Sequence, residues 1–324
     1  MTIADRAIAA RLCGAHPYGR PAVGTVESLA RVNRADLIFA RERFLHPNNA
    51  TLVVIGEIDE NRVMTTLRQL LGFWRRSESV APATFKQPSS FDARTLIIDL
   101  PGAASSEIRL AARGFSQGSR EAAAAELLAN VALERWRRAL PESQELPLFV
   151  RHEARALSGI FVMGATVPAV LTGKALGTAR VVARSLGATP LSPTELLQAK
   201  SEARSRLTKD APQQQHLTLA ANWLDADQFK LDQNYDRLRS IDGLTAEEVR
   251  QTAAKLFPDE HAAAVAVGSA AQLSSQLGQL GSIEMLGAAK AAAPAAGVTI
   301  PTPPFEIATG TPLKTPDKLR AYFD

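Results

Sequence analysis

The hydrophobic pattern alternates between helix-spaced stretches and short β-branched runs, and in one place the chain writes that alternation twice. Val32 to Gly56, VNRADLIFARERFLHPNNATLVVIG, lies without a gap on Leu244 to Gly268, LTAEEVRQTAAKLFPDEHAAAVAVG, at an offset of 212 positions (268 − 56). Each copy opens with an N-cap residue, Asn33 or Thr245, and an acid three residues on, Asp36 or Glu248, the pattern of a capping box. Val32 with Leu37 and Leu244 with Val249 occupy the staple positions N′ and N4. Each copy then runs for about three turns, breaks at a proline-bearing turn, and continues as a β-branched run closed by glycine, Thr51 to Ile55 or Ala264 to Val267. The spacing predicts two copies of one α/β unit rather than a short solenoid repeat.

The remaining elements follow from period and punctuation. Ile3, Ala7, Ile8 and Leu12 share one face of a helix over 3–13 that ends at Gly14. A turn-rich loop, His16-Pro17-Tyr18-Gly19-Arg20-Pro21, precedes a short helix over 27–31, and Asp59 caps a helix over 60–71. Strands are predicted at 94–100 and 107–113 around the Pro101-Gly102 turn, a helix at 120–140, and a strand pair at 148–153 and 159–167. Helices are predicted at 171–186, 193–208, 213–224, 234–240 and 271–277. If the second copy begins near residue 94, Met1 maps onto residue 213, and about 120 residues of copy two (213 − 93) have no counterpart in copy one. The expected fold is α+β: duplicated α/β sandwich units, each a mixed antiparallel sheet packed with helices, the first incomplete at its N-terminus. The expected organisation is 1–76 as the end of a first half, 77–92 as linker, 93–285 as a complete second half, and 286–324 as an Ala/Pro-rich tail.

Composition narrows the classes. At 324 residues, 46% hydrophobic and 22% charged, the chain is long enough for two domains with a globular core. The net charge of +4 comes from arginines spread along the chain without an aromatic-interleaved patch, which argues against nucleic-acid binding. Trp136 among Arg135, Arg137 and Arg138 reads as a helix end complementing its dipole. A single cysteine, Cys13, excludes an internal disulfide and thiolate metal sites, and it reads as a small buried hydrophobe. No run reaches the ~18 apolar residues of a membrane span, and the N-terminus lacks a signal-peptide layout. As written the compartment is cytoplasmic, or periplasmic if the natural start lies upstream.

HPYGRPAVG at 16–24 and PNNATLVVIGEID at 47–59 together resemble the insulinase or pitrilysin family of zinc metallopeptidases, and PGAASSEIRLAARG at 101–114 resembles the opening of that family's second, homologous domain. The resemblance implies repeated α/β halves enclosing a substrate chamber. It also implies a catalytic half whose H-x-x-E-H helix holds zinc through two imidazoles one turn apart, with the glutamate activating water. In such proteins that helix precedes the HPYG loop, whereas only fifteen residues precede His16. A substrate-holding L-R-x6-Y pattern of the second half, set on 139–150, meets Pro141 at the arginine position and Leu148 at the tyrosine position. Neither side chain donates a hydrogen bond. The neighbouring Arg137, Arg138 and Arg151 are the candidates after a local shift.

The five histidines offer no substitute. His152-Glu153 begins like H-E-x-x-H, but Ala156 fills the second ligand position; Glu260-His261 ends like H-x-x-E-H, but Phe257 fills the first. His16 reads as a turn hydrogen-bonder, and His46 and His216 have no ligand spacing. Gly19 to Gly24 follows no strand and is no phosphate loop, and no serine has a histidine and acid at a recognisable spacing. Catalytic and metal-ligating residues are therefore expected to be none, substrate contacts are unassigned, and zinc is expected only in a partner. The expected function is a non-catalytic, chamber-closing and peptide-binding half, paired with a zinc-bearing homologue or the missing N-terminal half. The alternatives are a fragment of an active zinc peptidase and a scaffold of the same fold.

Overall fold

The capping and staple chemistry read from the sequence forms in both copies, and the difference between them lies in what covers them. A computed structural model describes residues 2–77, 91–208, 220, 223–224, 237–258 and 262–287. Its helices are α1 (Ile3–Cys13), α2 (Val26–Leu29), α3 (Arg34–Phe44), α4 (Glu60–Leu71), α5 (Arg120–Ala139), α6 (Thr172–Ala188), α7 (Pro193–Thr208), α8 (Arg237–Asp242), α9 (Ala246–Leu256) and α10 (Ala270–Gly278). The strands are β1 (Thr95–Asp99), β2 (Ser105–Arg113), β3 (Leu148–Glu153), β4 (Ile160–Pro168), β5 (Ala263–Gly268) and β6 (Ile283–Leu286). In α3 the Asn33 amide donates to Asp36 Oδ2 at 2.9 Å, and in α9 the Thr245 amide donates to Glu248 Oε2 at 2.8 Å. The reciprocal bonds close both boxes.

The strands make one mixed sheet in the order β3-β4-β2-β5-β1-β6. β5 runs parallel to β1 and antiparallel to β2, with Ala264 opposite both Thr95 and Leu110. Strand alternation deals the side chains to two cores. Ile97, Ile108, Leu110, Phe161, Met163, Ala264 and Ala266 face a core shared with α5, α6, α9 and α10. Leu96, Ile98, Ala111, Ile160, Val162, Val265 and Val267 face a second core closed by Ala4, Ile8, Leu12 and Cys13 of α1. Both faces of β5 are covered, and all six of its residues are buried. The mixed α/β sandwich expected from the sequence is borne out, and Cys13 is indeed a small buried hydrophobe.

Copy one differs. The run Thr51 to Ile55, expected as a strand, forms no strand and pairs with none among the described residues. β-branched residues favour the pleated conformation, but a strand needs a neighbour for its backbone donors and acceptors, and no strand among the described residues supplies one. No residue of α3 or α4 is buried. Leu37 is 62% exposed where its counterpart Val249 is fully buried. β6 was missing from the sequence reading; the mixed Ile283-Glu284-Met285-Leu286 run lacks clean alternation and is recruited by parallel pairing with β1. The predicted linker falls almost wholly on 78–90, and the tail from residue 288 and most of the predicted helix over 213–224 also lie outside the described residues.

This asymmetry sets an expectation for unfolding. Val249→Ala empties a closed core position and should cost about 2 kcal/mol in a urea titration. Leu37→Ala should stay within about 0.5 kcal/mol, because its side chain already stands in solvent.

Candidate functional site

Residues 2–20 lie across the sheet face opposite the helical layer, and polar contacts fix them there. The Arg109 guanidinium, buried in β2, donates to Asp5 Oδ1 at 2.8 Å and to Thr2 Oγ1 at 3.2 Å. Burial raises the Asp5 carboxyl, but the hydrogen bond and charge of Arg109 and the Thr2 donors outweigh it and hold it below the ordinary aspartate value. At the other end of α1, Arg113 donates twice to the Leu12 carbonyl, at 2.7 and 3.1 Å. Arg11 reaches Glu284 of β6 at 2.7 Å and the Arg94 carbonyl at 2.8 Å.

The HPYG loop continues this seam. His16 Nδ1 accepts the Tyr18 amide at 3.1 Å, the role expected of it as a turn hydrogen-bonder. The Tyr18 hydroxyl accepts the Leu157 amide at 3.3 Å, and the Arg155 guanidinium sits 5.0 Å from the Tyr18 ring centre. The loop is a fastening between the N-terminal segment and the sheet, with no nucleophile in it.

One constellation escaped the sequence reading because it runs across strands. Phe149, Gly164 and Arg109 are in register on β3, β4 and β2. Gly164 leaves room for the Phe149 ring, since a Cβ there would stand 2.2 Å from a ring carbon. The ring then lies between two guanidiniums, Arg109 at 5.0 Å and Arg151 at 4.8 Å. β3 pairs only with β4, so its outer backbone edge is open among the described residues. Arg151, half-exposed on that edge, pairs with Glu153 at 2.7 Å.

The sequence candidates for holding substrate are scattered. Leu148 is 7% exposed and belongs to the core. Pro141 opens the short turn over 141–145 after α5, and Arg137 and Arg138 are exposed in the last turn of that helix. Trp136 is buried and donates its indole N–H to the Ala175 carbonyl, so it forms no surface patch.

The described histidines, His16, His46 and His152, do not come together. Among the described residues no three His, Cys, Asp or Glu side chains converge. His152 Nε2 accepts the Phe115 amide at 3.1 Å, and Glu153 is engaged by Arg151 and Arg155. His46 is buried with no hydrogen bond at either ring nitrogen, yet no second ligand-type group joins it. His216 and His261 lie outside the described residues. A cleft of about 620 Å³ bordered by Arg94, Thr178, Arg180 and Phe257 carries no catalytic constellation. No helix among the described residues is long and apolar enough to cross a membrane.

The fold defines the class: a mixed α/β sandwich, with an N-terminal helix and the HPYG loop fastened to its sheet. The family described as peptidase M16 inactive domain matches residues 31–203, which is 173 of 324 residues, and the chain belongs to that family. The resemblance read from the HPYG and PNNATLVVIGEID stretches is thereby borne out. An uncharacterized zinc protease of Mycobacterium leprae is 33% identical over 63 residues, 19% of this chain and 14% of its own length. Among solved structures, a peptidase M16 inactive domain from Pseudomonas fluorescens is similar at a TM-score of 0.72 and 19% identity, covering 82% of this chain and 65% of that one. Complex III2 from Candida albicans contains a chain similar at a TM-score of 0.72 and 14% identity, covering 86% and 70%. The first half of the periplasmic protease PqqL from Escherichia coli is similar at 0.64 and 15% identity, covering 84% and 62%. The chain thus spans about two thirds of the Pseudomonas structure and a small part of the Mycobacterium protein.

Two measurements test this geometry. Burial, aided by the positive charge of Arg237, lowers His152 from 6.5 to about 4. The unfolded imidazole takes its proton near 6.5 and the folded one only near 4, so between those values the unfolded state binds more protons and stability falls as pH falls. The loss should reach about 3 kcal/mol at most, and an NMR titration of the His152 ring should place its midpoint well below that of a free histidine. Gly164→Ala should drive the Phe149 ring off its seat and cost about 1–3 kcal/mol in chemical denaturation.

Proposed function

We propose that this chain is the non-catalytic half of an M16-type peptidase, closing a chamber against a zinc-bearing homologue and helping to hold an extended peptide, with no hydrolytic chemistry of its own. The observation that carries this reading is the match of its residues 31–203 to the family's inactive domain. It is supported by the sequence, in which no histidine has a second ligand at zinc-site spacing, and by the lack of a ligand cluster among the described residues, since a tetrahedral zinc site needs several ligands at one point. The open edge of β3 supports the peptide-holding part: an extended peptide added there gains main-chain hydrogen bonds, with Arg151 beside it for an acidic or carbonyl group.

A second reading places this half and a zinc-bearing half in one polypeptide. It draws on the coverage of the neighbours, 65% of the Pseudomonas structure and 62% of the PqqL half.

The purified chain should carry no stoichiometric zinc by elemental analysis and cleave no peptide from a quenched-fluorescence library. Mixing it with a zinc-bearing M16 homologue from the same source should produce or enhance cleavage. Equimolar zinc in the chain alone, or hydrolysis abolished by a chelator without any partner, would refute the proposal.

A further inference from the structure

The apolar surface of residues 23–73 is the largest feature of the molecule that the seam and the sheet leave unexplained. Leu37, Phe39, Phe44, Leu52, Val54 and Phe73 are all exposed large hydrophobics. So many exposed large hydrophobics within one short segment exceed the single, scattered apolar residues of an ordinary surface.

The internal offset says what should cover it. Leu52 is 60% exposed, and its counterpart Ala264 is fully buried in β5. Phe44 is exposed, and its counterpart Leu256 is buried where α9 packs on α5 and α6. Beyond the original alignment, the same offset carries Leu12, buried under the sheet, onto Leu224, which is helical and 40% exposed beside the exposed Trp223. At each of these positions the residue buried in one copy has a counterpart that faces solvent in the other.

Charge agrees with shape. In copy two, Glu248 pairs with Arg120 at 2.7 Å and Lys255 with Glu121 at 2.9 Å, so the first turn of α5 reads both ends of α9. Copy one keeps the same signs at those positions, Asp36 and Arg43. Neither forms an ion pair among the described residues; the Arg43 guanidinium instead lies over the Phe39 and Phe44 rings at 5.6 and 5.8 Å. A second copy of this chain offers no equivalent seat, because β5 already fills the place between β1 and β2.

We infer that α3 and the 51–56 run dock into another α/β unit whose sheet is open between one parallel and one antiparallel strand, and whose long helix begins with a cation next to a carboxylate. The inserted run becomes the central strand, parallel to one neighbour and antiparallel to the other, as β5 is. This rests on the pairing of halves proposed above and names its contact surface and the form of its partner.

The test uses the full chain with p-benzoylphenylalanine at Leu52, irradiated in the cells that naturally make it, with the adduct sequenced by mass spectrometry. The expected adduct falls on strand residues of one α/β unit other than this chain. Amides 51–56 should exchange rapidly in the isolated chain and become protected in the purified adduct. Arg43→Glu should lower adduct yield on the order of tenfold by setting like charges together, while Arg43→Lys, which keeps the charge, should leave the yield near that of the unaltered chain. Adducts confined to a second copy of this chain, an absence of adducts, or amides 51–56 already protected in the isolated chain would each overturn the inference. An α/β partner that carries no zinc would support this docking surface while sinking the proposed pairing with a catalytic half.

Discussion

A strand exists only where its backbone donors and acceptors meet a neighbour on each side and its two faces are covered, and this molecule meets that condition in one copy of its repeated unit and not in the other. β5 satisfies it completely, between β1 and β2, with helices below and α1 above. Thr51 to Ile55 has the β-branched side chains for the same role and none of the surroundings. Much of the character of the chain follows: a sheet whose central strands are covered on both faces, and a segment over 23–73 whose helix starts are sound but many of whose apolar residues face outward.

The local devices were legible in the sequence because their causes are local. Asn33 with Asp36 and Thr245 with Glu248 specify their helix starts within four residues, and Asp59 and Gly14 mark other ends where they were read. The sheet order was not legible, because pairing β5 with β1 joins residues some 170 positions apart and no short-range signal encodes that. The same limit hid Phe149, Gly164 and Arg109, whose meaning appears only when three strands are set in register. The run at 51–55 misled for the converse reason: propensity is local, but a ladder is shared.

The functional reading has a comparable division. His16 could be understood from its neighbours, since a residue before a proline-bearing turn that bonds an amide two positions on needs nothing distant. His152 could not, because the amide of Phe115 and the charge of Arg237 come to it from other parts of the chain. The HPYG segment carried the family resemblance through its sequence, while its structural work is to bind an N-terminal helix onto a sheet formed much later in the chain. In this portion, at least, the seam between the two parts of the molecule is polar at its ends and apolar in its middle.

That seam also gives the N-terminal portion a bearing. A shift of α1 along the sheet by one turn, about 5.4 Å, would carry Asp5 away from Arg109 and the Leu12 carbonyl away from Arg113 together, breaking both fastenings at once. The helix therefore acts as an axle with two keyed ends. Whatever grips the surface beyond the HPYG loop is joined to the sheet through those two keys.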